Sequence, residues 1–157
     1  MSEDMFEDGY ESIANIDISK VVIAQMQAKY KDKYQTMQFQ TMNMLELQFP
    51  DGAFNAVVDK GTLDSILCGE GSTNNVAKAL SEVQRVLTDD GVYIFISYGV
   101  PKNRLSYLET DECKAVWSVT VKQVAKPSVS TAQQPTEDSG NVHYIYICKK
   151  NAGEEKS

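Results

Sequence analysis

Three clusters of residues in this sequence could do chemistry. Asp17 closes the short apolar run in NIDIS. A carboxylate at a strand end can accept two hydrogen bonds from a ribose diol, or it can simply cap the next element. Asn43, in TMNML, carries an amide that could accept from an adenine amino group and donate to a ring nitrogen. Met44 beside it could lie on a purine face through its polarizable sulfur. The alternative is a loop amide next to a core methionine. The third cluster is VVDKGTLDSI, where Asp59 follows three apolar residues. Gly61 would let backbone approach a ligand closely. Thr62 and Asp64 add polar groups there. A capped turn into a helix would account for the same string.

These residues need elements to position them. Residues 2–8 are acidic and read as the last turns of a helix ended by Gly9. Residues 12–18 read as a short buried strand, and Ser19 as the N-cap of a helix carrying Val22, Met26, Tyr30 and Tyr34 on one stripe. Alternation over residues 36–42 predicts a strand. Pro50-Asp51-Gly52 is a turn, and Phe54 begins another strand that runs to Asp59. Glycines 61, 69 and 71 interrupt the next stretch. Thr73 can then cap a helix with Val76, Leu80, Val83 and Leu87 on one face, closed by Asp89-Asp90-Gly91. Residues 92–97 read as an apolar strand and residues 101–109 as a loop with one helical turn. Residues 115–124 and 142–148 alternate as strands, separated by a Ser, Thr, Gln and Pro-rich loop over 126–140. Strands alternating with helices, and then two final strands, imply a mostly parallel α/β sheet with an antiparallel hairpin at one edge. In such sheets ligands bind beyond the carboxyl ends of the strands, where all three clusters fall.

The 157 residues fit one domain, read as residues 1–150 followed by a polar tail over 151–157. The net charge of -7 disfavours a phosphate-backbone partner, so no nucleic acid is expected. Cys68, Cys113 and Cys148 are widely spaced and odd in number, which argues against a disulfide framework or a zinc site and for a reducing, cytoplasmic setting. No metal is expected, and no apolar run approaches a membrane span. His143 is the only histidine and reads as solvent-facing or lightly packed; Trp117 is the only tryptophan and reads as core. Signatures such as GxSxG and GxxxxGK[ST] are absent.

NIDIS with VVIAQMQAKY, then TMNML, then FPDGAFNAVVDKGTLDSI and LSEVQRVLTDDGVYIFISYG resemble the methyltransferase-like group of class I enzymes. That group includes lysine methyltransferases acting on translation elongation factor 1-alpha and on citrate synthase. DKGTLD is the most specific string. The resemblance is strong over residues 2–100 and weaker through the final hairpin. It implies a Rossmann-like sheet, S-adenosyl-L-methionine as cofactor and a protein-lysine acceptor, with a translation factor among the candidates. It also implies roles for residues. Asp17 would bind the cofactor ribose with Ile18 beside it. Asn43 and Met44 would hold the adenine. Lys60 would contact the cofactor through its backbone. Asp59 would sit at the methyl-transfer site as the candidate catalytic residue. The family usually has Asp where this chain has Asn43, so adenine binding is expected to be altered rather than lost.

The family also places a strand and a GCGNS-like loop ahead of the segment matching SEDMFEDGY, where this chain starts. The resemblance therefore implies a sheet lacking its first strand and glycine loop, with a gap between the NIDIS and VVD strands. Either those strands pair directly, or a partner chain covers the gap, or the chain is a piece of a longer product. Two other readings stand beside the enzyme: a non-catalytic methyltransferase-like subunit, and a small-molecule methyltransferase.

Overall fold

The computed structural model describes residues 1–125 and 142–151. The predicted 126–140 loop, and the predicted tail after Asn151, lie outside the described residues. The chain divides into two compact units, residues 1–48 and 49–157. The span read as a single domain thus comprises two such units.

The first unit holds α1 (Ser2–Glu7), β1 (Ala14–Asp17), α2 (Lys20–Tyr30) and β2 (Gln38–Thr41). β1 and β2 pair in parallel, Ala14 opposite Gln38 and Asp17 opposite Thr41. Ser19 caps α2 as its sequence position suggests, its hydroxyl accepting from the Val22 N–H at 3.3 Å. The stripe of Val22, Met26, Tyr30 and Tyr34 is only partly realised. α2 ends at Tyr30, and Ile23 is its one buried residue. Tyr34 is buried beyond the helix end, its ring tilted at 53° against Phe6 with centroids 4.7 Å apart, while Tyr30 stacks flat on Phe39 at 5.6 Å. Glu3 and Glu7 of α1 take the Lys33 ammonium at 2.9 and 3.3 Å. Lys33, then the Tyr30 hydroxyl, hold the Glu3 carboxyl down to about 2.

The second unit holds β3 (Phe54–Lys60), α3 (Thr62–Leu67), α4 (Ser72–Val86), β4 (Leu87–Ser97), α5 (Pro101–Leu108), α6 (Asp111–Val116), β5 (Trp117–Ala125) and β6 (Val142–Lys150). Its sheet runs β3-β4-β6-β5. β3 and β4 are parallel; β6 is antiparallel to both β4 and β5. The predicted closing hairpin is therefore present, with its second strand inserted beside β4 and its first strand at the edge. β4 starts at Leu87, earlier than Val92. Asp90 carries φ 64 in the short irregular stretch before the regular ladder.

α4 buries Val76, Ala79, Leu80, Val83 and Val86, the one-sided spacing of an amphipathic helix. It starts at Ser72, after Gly71 at φ 65, so Thr73 lies inside it and not at its cap. Lys150 closes the other end, its ammonium donating to the Gln84 and Leu87 carbonyls at 3.1 and 2.8 Å. A cation there also meets the negative pole of the helix. One sheet face carries a row of rings: Tyr93 stacks on Trp117 at 5.9 Å and Phe95 on Tyr146 at 5.5 Å. Trp117 is core, as its type suggests, and its indole N–H donates to the Leu108 carbonyl at 3.0 Å.

α3 lies where the glycines read as a broken stretch. Asp59 nucleates it from the preceding strand. One carboxylate oxygen accepts from the Thr62 N–H at 2.7 Å, the other from the Leu63 N–H at 3.0 Å. The helix needs those acceptors, because its first N–H groups have no partner within it. Gly61, at φ 81, makes the left-handed step between Asp59 and the helix. α5 replaces the predicted loop over 101–109, with Pro101 in its first turn.

β1 and β3 belong to separate sheets, so the two strands do not pair directly. Among the described residues, β3 pairs only with β4. Its FNAVVDK sequence is the apolar run of an internal strand, yet Ala56 is exposed.

Two stability measurements follow. Leu80→Ala, at a side chain 2 % exposed, is expected to cost about 2–5 kcal/mol in denaturant unfolding. Asp59→Asn should cost about 1–3 kcal/mol, because an amide nitrogen cannot accept from a helix N–H. Burial, opposed by the Thr62 and Leu63 N–H groups, raises the Asp59 carboxyl above its ordinary 3.8. Its stabilising contribution is therefore largest below that value and shrinks as pH rises through the raised one. The wild-type advantage over Asp59→Asn should narrow from pH 4 to pH 7 in thermal melts; a widening gap would contradict this account.

Candidate active site

In the first unit, Asp17 is the last residue of β1 and Asn43 lies two residues past β2. One Asp17 carboxylate oxygen accepts from the Ser19 N–H at 2.7 Å. The other has no partner among the described residues, so an acceptor is available for a diol. Ile18 next to it is 74 % exposed and offers an apolar surface. An exposed isoleucine beside a half-claimed carboxylate suits a sugar joined to a flat base. Asn43 is exposed, and its side-chain oxygen accepts from the Leu45 N–H at 2.9 Å. Its amide NH₂ is the half left to meet a ring nitrogen. Met44 is 7 % exposed and sits in the core. Little of its side chain is open to a ligand, so its backbone is what it chiefly presents. The residues present therefore fit an adenosine on the ribose side and in part on the base side.

In the second unit, Asp59 and Lys60 end β3 and Gly61 follows it. Asp59 is 5 % exposed. Besides the two helix N–H groups, it accepts from the Tyr93 hydroxyl at 3.0 Å. That contact and full burial push the Tyr93 phenol well above its ordinary value, burial being the larger cause. Both Asp59 oxygens are thus committed to the fold around the strand end. The Lys60 side chain is exposed, while its backbone stays in the ladder opposite Ile96.

A second polar group lies at the same end of the sheet. Asp64 accepts from the Ser97 hydroxyl at 2.7 Å, the Arg104 Nε at 2.9 Å and the Tyr98 N–H at 3.1 Å. Sequence reading named Asp64 only as a polar neighbour and missed Ser97, Arg104 and Tyr93. A signal existed for Ser97. It shares the inward phase of Tyr93 and Phe95, where a polar residue needs a partner. Arg104 had no signal without the observed helix α5 to carry it. Among the described residues, no group of three or more His, Cys, Asp or Glu side chains converges as a metal site would require.

Comparison with known proteins bears on the family and the fold. The methyltransferase domain family matches residues 1–95. The chain is 39% identical over 130 residues to the eEF1A lysine and N-terminal methyltransferase of Bos taurus, covering 80% of this chain and 18% of that protein. It is 34% identical over 115 residues to EEF1A lysine methyltransferase 4 of Mus musculus, covering 68% of this chain and 45% of that protein. The chain thus spans less than a fifth of the first relative and less than half of the second. A crystal structure of a SAM-dependent methyltransferase from Methanosarcina mazei superposes with TM-score 0.69 at 14% identity, covering 97% of this chain and 87% of that one. The chain belongs to the methyltransferase domain family, and its fold is that of the class I, S-adenosylmethionine-dependent enzymes.

Proposed function

We infer that this chain is the part of a protein-lysine N-methyltransferase that receives adenosine and acceptor, with S-adenosyl-L-methionine as methyl donor. The observation that carries this reading is the half-claimed Asp17 carboxylate beside exposed Ile18, at the carboxyl end of a parallel strand. Two relatives named as eEF1A lysine methyltransferases support a lysine acceptor on a translation factor.

Asp17 takes the ribose diol, with Ile18 against the base. The Asn43 amide donates to the adenine ring, and Met44 contributes backbone. Lys60 contributes backbone at the end of β3. S-adenosylmethionine supplies an electrophilic methyl group on a sulfonium. The protein's task is then to align a neutral amine and exclude water. Asp59 serves this by fixing the strand end, since its oxygens already accept three hydrogen bonds. That arrangement favours a positioning role over proton removal from the lysine. The three cysteines are free thiols, which suits a reducing, cytoplasmic setting. The charge of -7 suits a basic protein acceptor over nucleic acid.

A second reading has its own observation. Among the described residues β3 has one unpaired edge, with Ala56 exposed, and an open apolar edge invites another strand. A partner chain donating that strand would make this protein a methyltransferase-like subunit.

In isothermal titration with S-adenosylhomocysteine, Asp17→Ala should weaken binding at least about tenfold, the loss of charge-assisted hydrogen bonds. Unchanged affinity would remove Asp17 from the ribose site. Light scattering separates the second reading: a stable complex with another chain supports it, and a well-folded monomer contradicts it.

A further inference from the structure

The bend after β4 is held from α3, β6 and α5, and Arg104 of α5 joins these holds. β4 ends on Ser97, which is buried. The Tyr98 N–H then donates to Asp64 of α3 at 3.1 Å, and the Gly99 N–H to the Ser97 hydroxyl at 2.9 Å. From β6, the Tyr146 hydroxyl donates to the Gly99 carbonyl at 2.7 Å. His143, also of β6, packs on the Tyr98 ring with centroids 5.0 Å apart at 57°. β3 ends next to this bend, because the Gly61 N–H donates to the Ile96 carbonyl at 3.1 Å. The carboxyl ends of β3 and β4, where ligands of such sheets bind, thus meet at one short stretch of backbone.

Arg104 meets the bend in two ways. Its Nε donates to Asp64 at 2.9 Å and to the Ser97 hydroxyl at 3.2 Å. The side chains of the ion pair are largely shielded, Asp64 at 15% exposure and Arg104 at 17%. Removing the cation would leave a carboxylate that water barely reaches without its counter-charge. The guanidinium also lies against Gly99, where a Cβ would collide with it. The tip of an unrestrained arginine would swing out of such a collision. This one is pinned at Nε by Asp64 and Ser97. Its helix is anchored too. Leu108 of α5 is fully buried, and its carbonyl accepts from the Trp117 indole N–H at 3.0 Å. Arg104 therefore reaches the bend from a fixed base.

We propose that Arg104 is a positioning residue for methyl transfer: anchored on Asp64, it seats Gly99 and fixes the bend after β4 beside the end of β3. This rests on the methyltransferase reading above and adds a residue of α5 to it. Alignment is what the reaction asks of the protein, and a misplacement of about 1 Å can cost on the order of a hundredfold in rate. Arg104 acts through Gly99 and Asp64 and need touch neither reactant. Gly99 lies outside the left-handed region, so what position 99 requires is the space that the guanidinium fills. Asp17 and Asn43 belong to the other unit, so affinity for the cofactor should not follow Arg104.

Steady-state methylation of eEF1A, with cofactor and acceptor varied separately, tests this. Arg104→Ala should lower kcat about ten- to a hundredfold and leave both KM values within about threefold of wild type. Gly99→Ala should do the same, because its Cβ evicts the guanidinium. The double variant should be no slower than Arg104→Ala alone, since the collision is gone. An unchanged kcat in Arg104→Ala, a loss confined to KM, or losses that multiply in the double variant would overturn the proposal. Absence of turnover in wild type would count against the methyltransferase reading itself. The hold on the bend is judged separately, by amide hydrogen exchange in the same variants. Faster exchange at Tyr98 and Gly99, with β6 still protected, supports it. Unchanged exchange at those two amides, or protection lost across β6 as well, overturns it.

Discussion

The carboxylate of Asp59 is the constraint on which the second unit depends. It ends β3, starts α3 and ties both to Tyr93 of β4 through three hydrogen bonds. A buried carboxylate is tolerable only when its oxygens are satisfied, and these are. The consequence reaches further along the chain. α3 carries Asp64, and Asp64 holds Ser97, Tyr98 and Arg104. One acidic residue at a strand end thereby sets the position of a second, and the second sets the loop after β4. The string DKGTLD encodes both, five residues apart, with Gly61 supplying the left-handed step between strand and helix.

The strand-end groups divide by unit. Asp17, Ile18 and Asn43 belong to the unit with the β1-β2 sheet; Asp59, Asp64 and Tyr98 belong to the unit with the four-stranded sheet. The first set offers an unclaimed carboxylate oxygen, an apolar surface and an amide NH₂, which are recognition chemistry. The second set is already bonded internally, which is positioning chemistry. That difference explains why Asp59 is better read as a fastener than as a base.

Much of this was legible in the sequence, for physical reasons. The β6 alternation was readable because that strand buries one face, giving the period of two that a sheet imposes, and β4 was readable from its apolar run over 92–97. Ser19 was readable as a cap because its type and place coincide. α3 was not, because six residues are too few to display a helical stripe and its capping group lies three residues ahead of its first residue. The α2 stripe overreached because Tyr34 is buried against the Phe6 ring outside the helix. Met44 was offered to a purine, but its side chain belongs to the core. The Tyr98–His143 contact joins residues 45 positions apart in sequence, and nothing local announces such a pairing.

The claim at the centre of this account is that recognition of the cofactor's adenosine sits at the carboxyl ends of β1 and β2. Amide hydrogen exchange with and without S-adenosylhomocysteine tests it directly. The account predicts slowed exchange at residues 18–22 and 43–45, with α4 unchanged. Binding that leaves those amides untouched, or that protects only the groove lined by Tyr30, Met37 and Phe39, would contradict it.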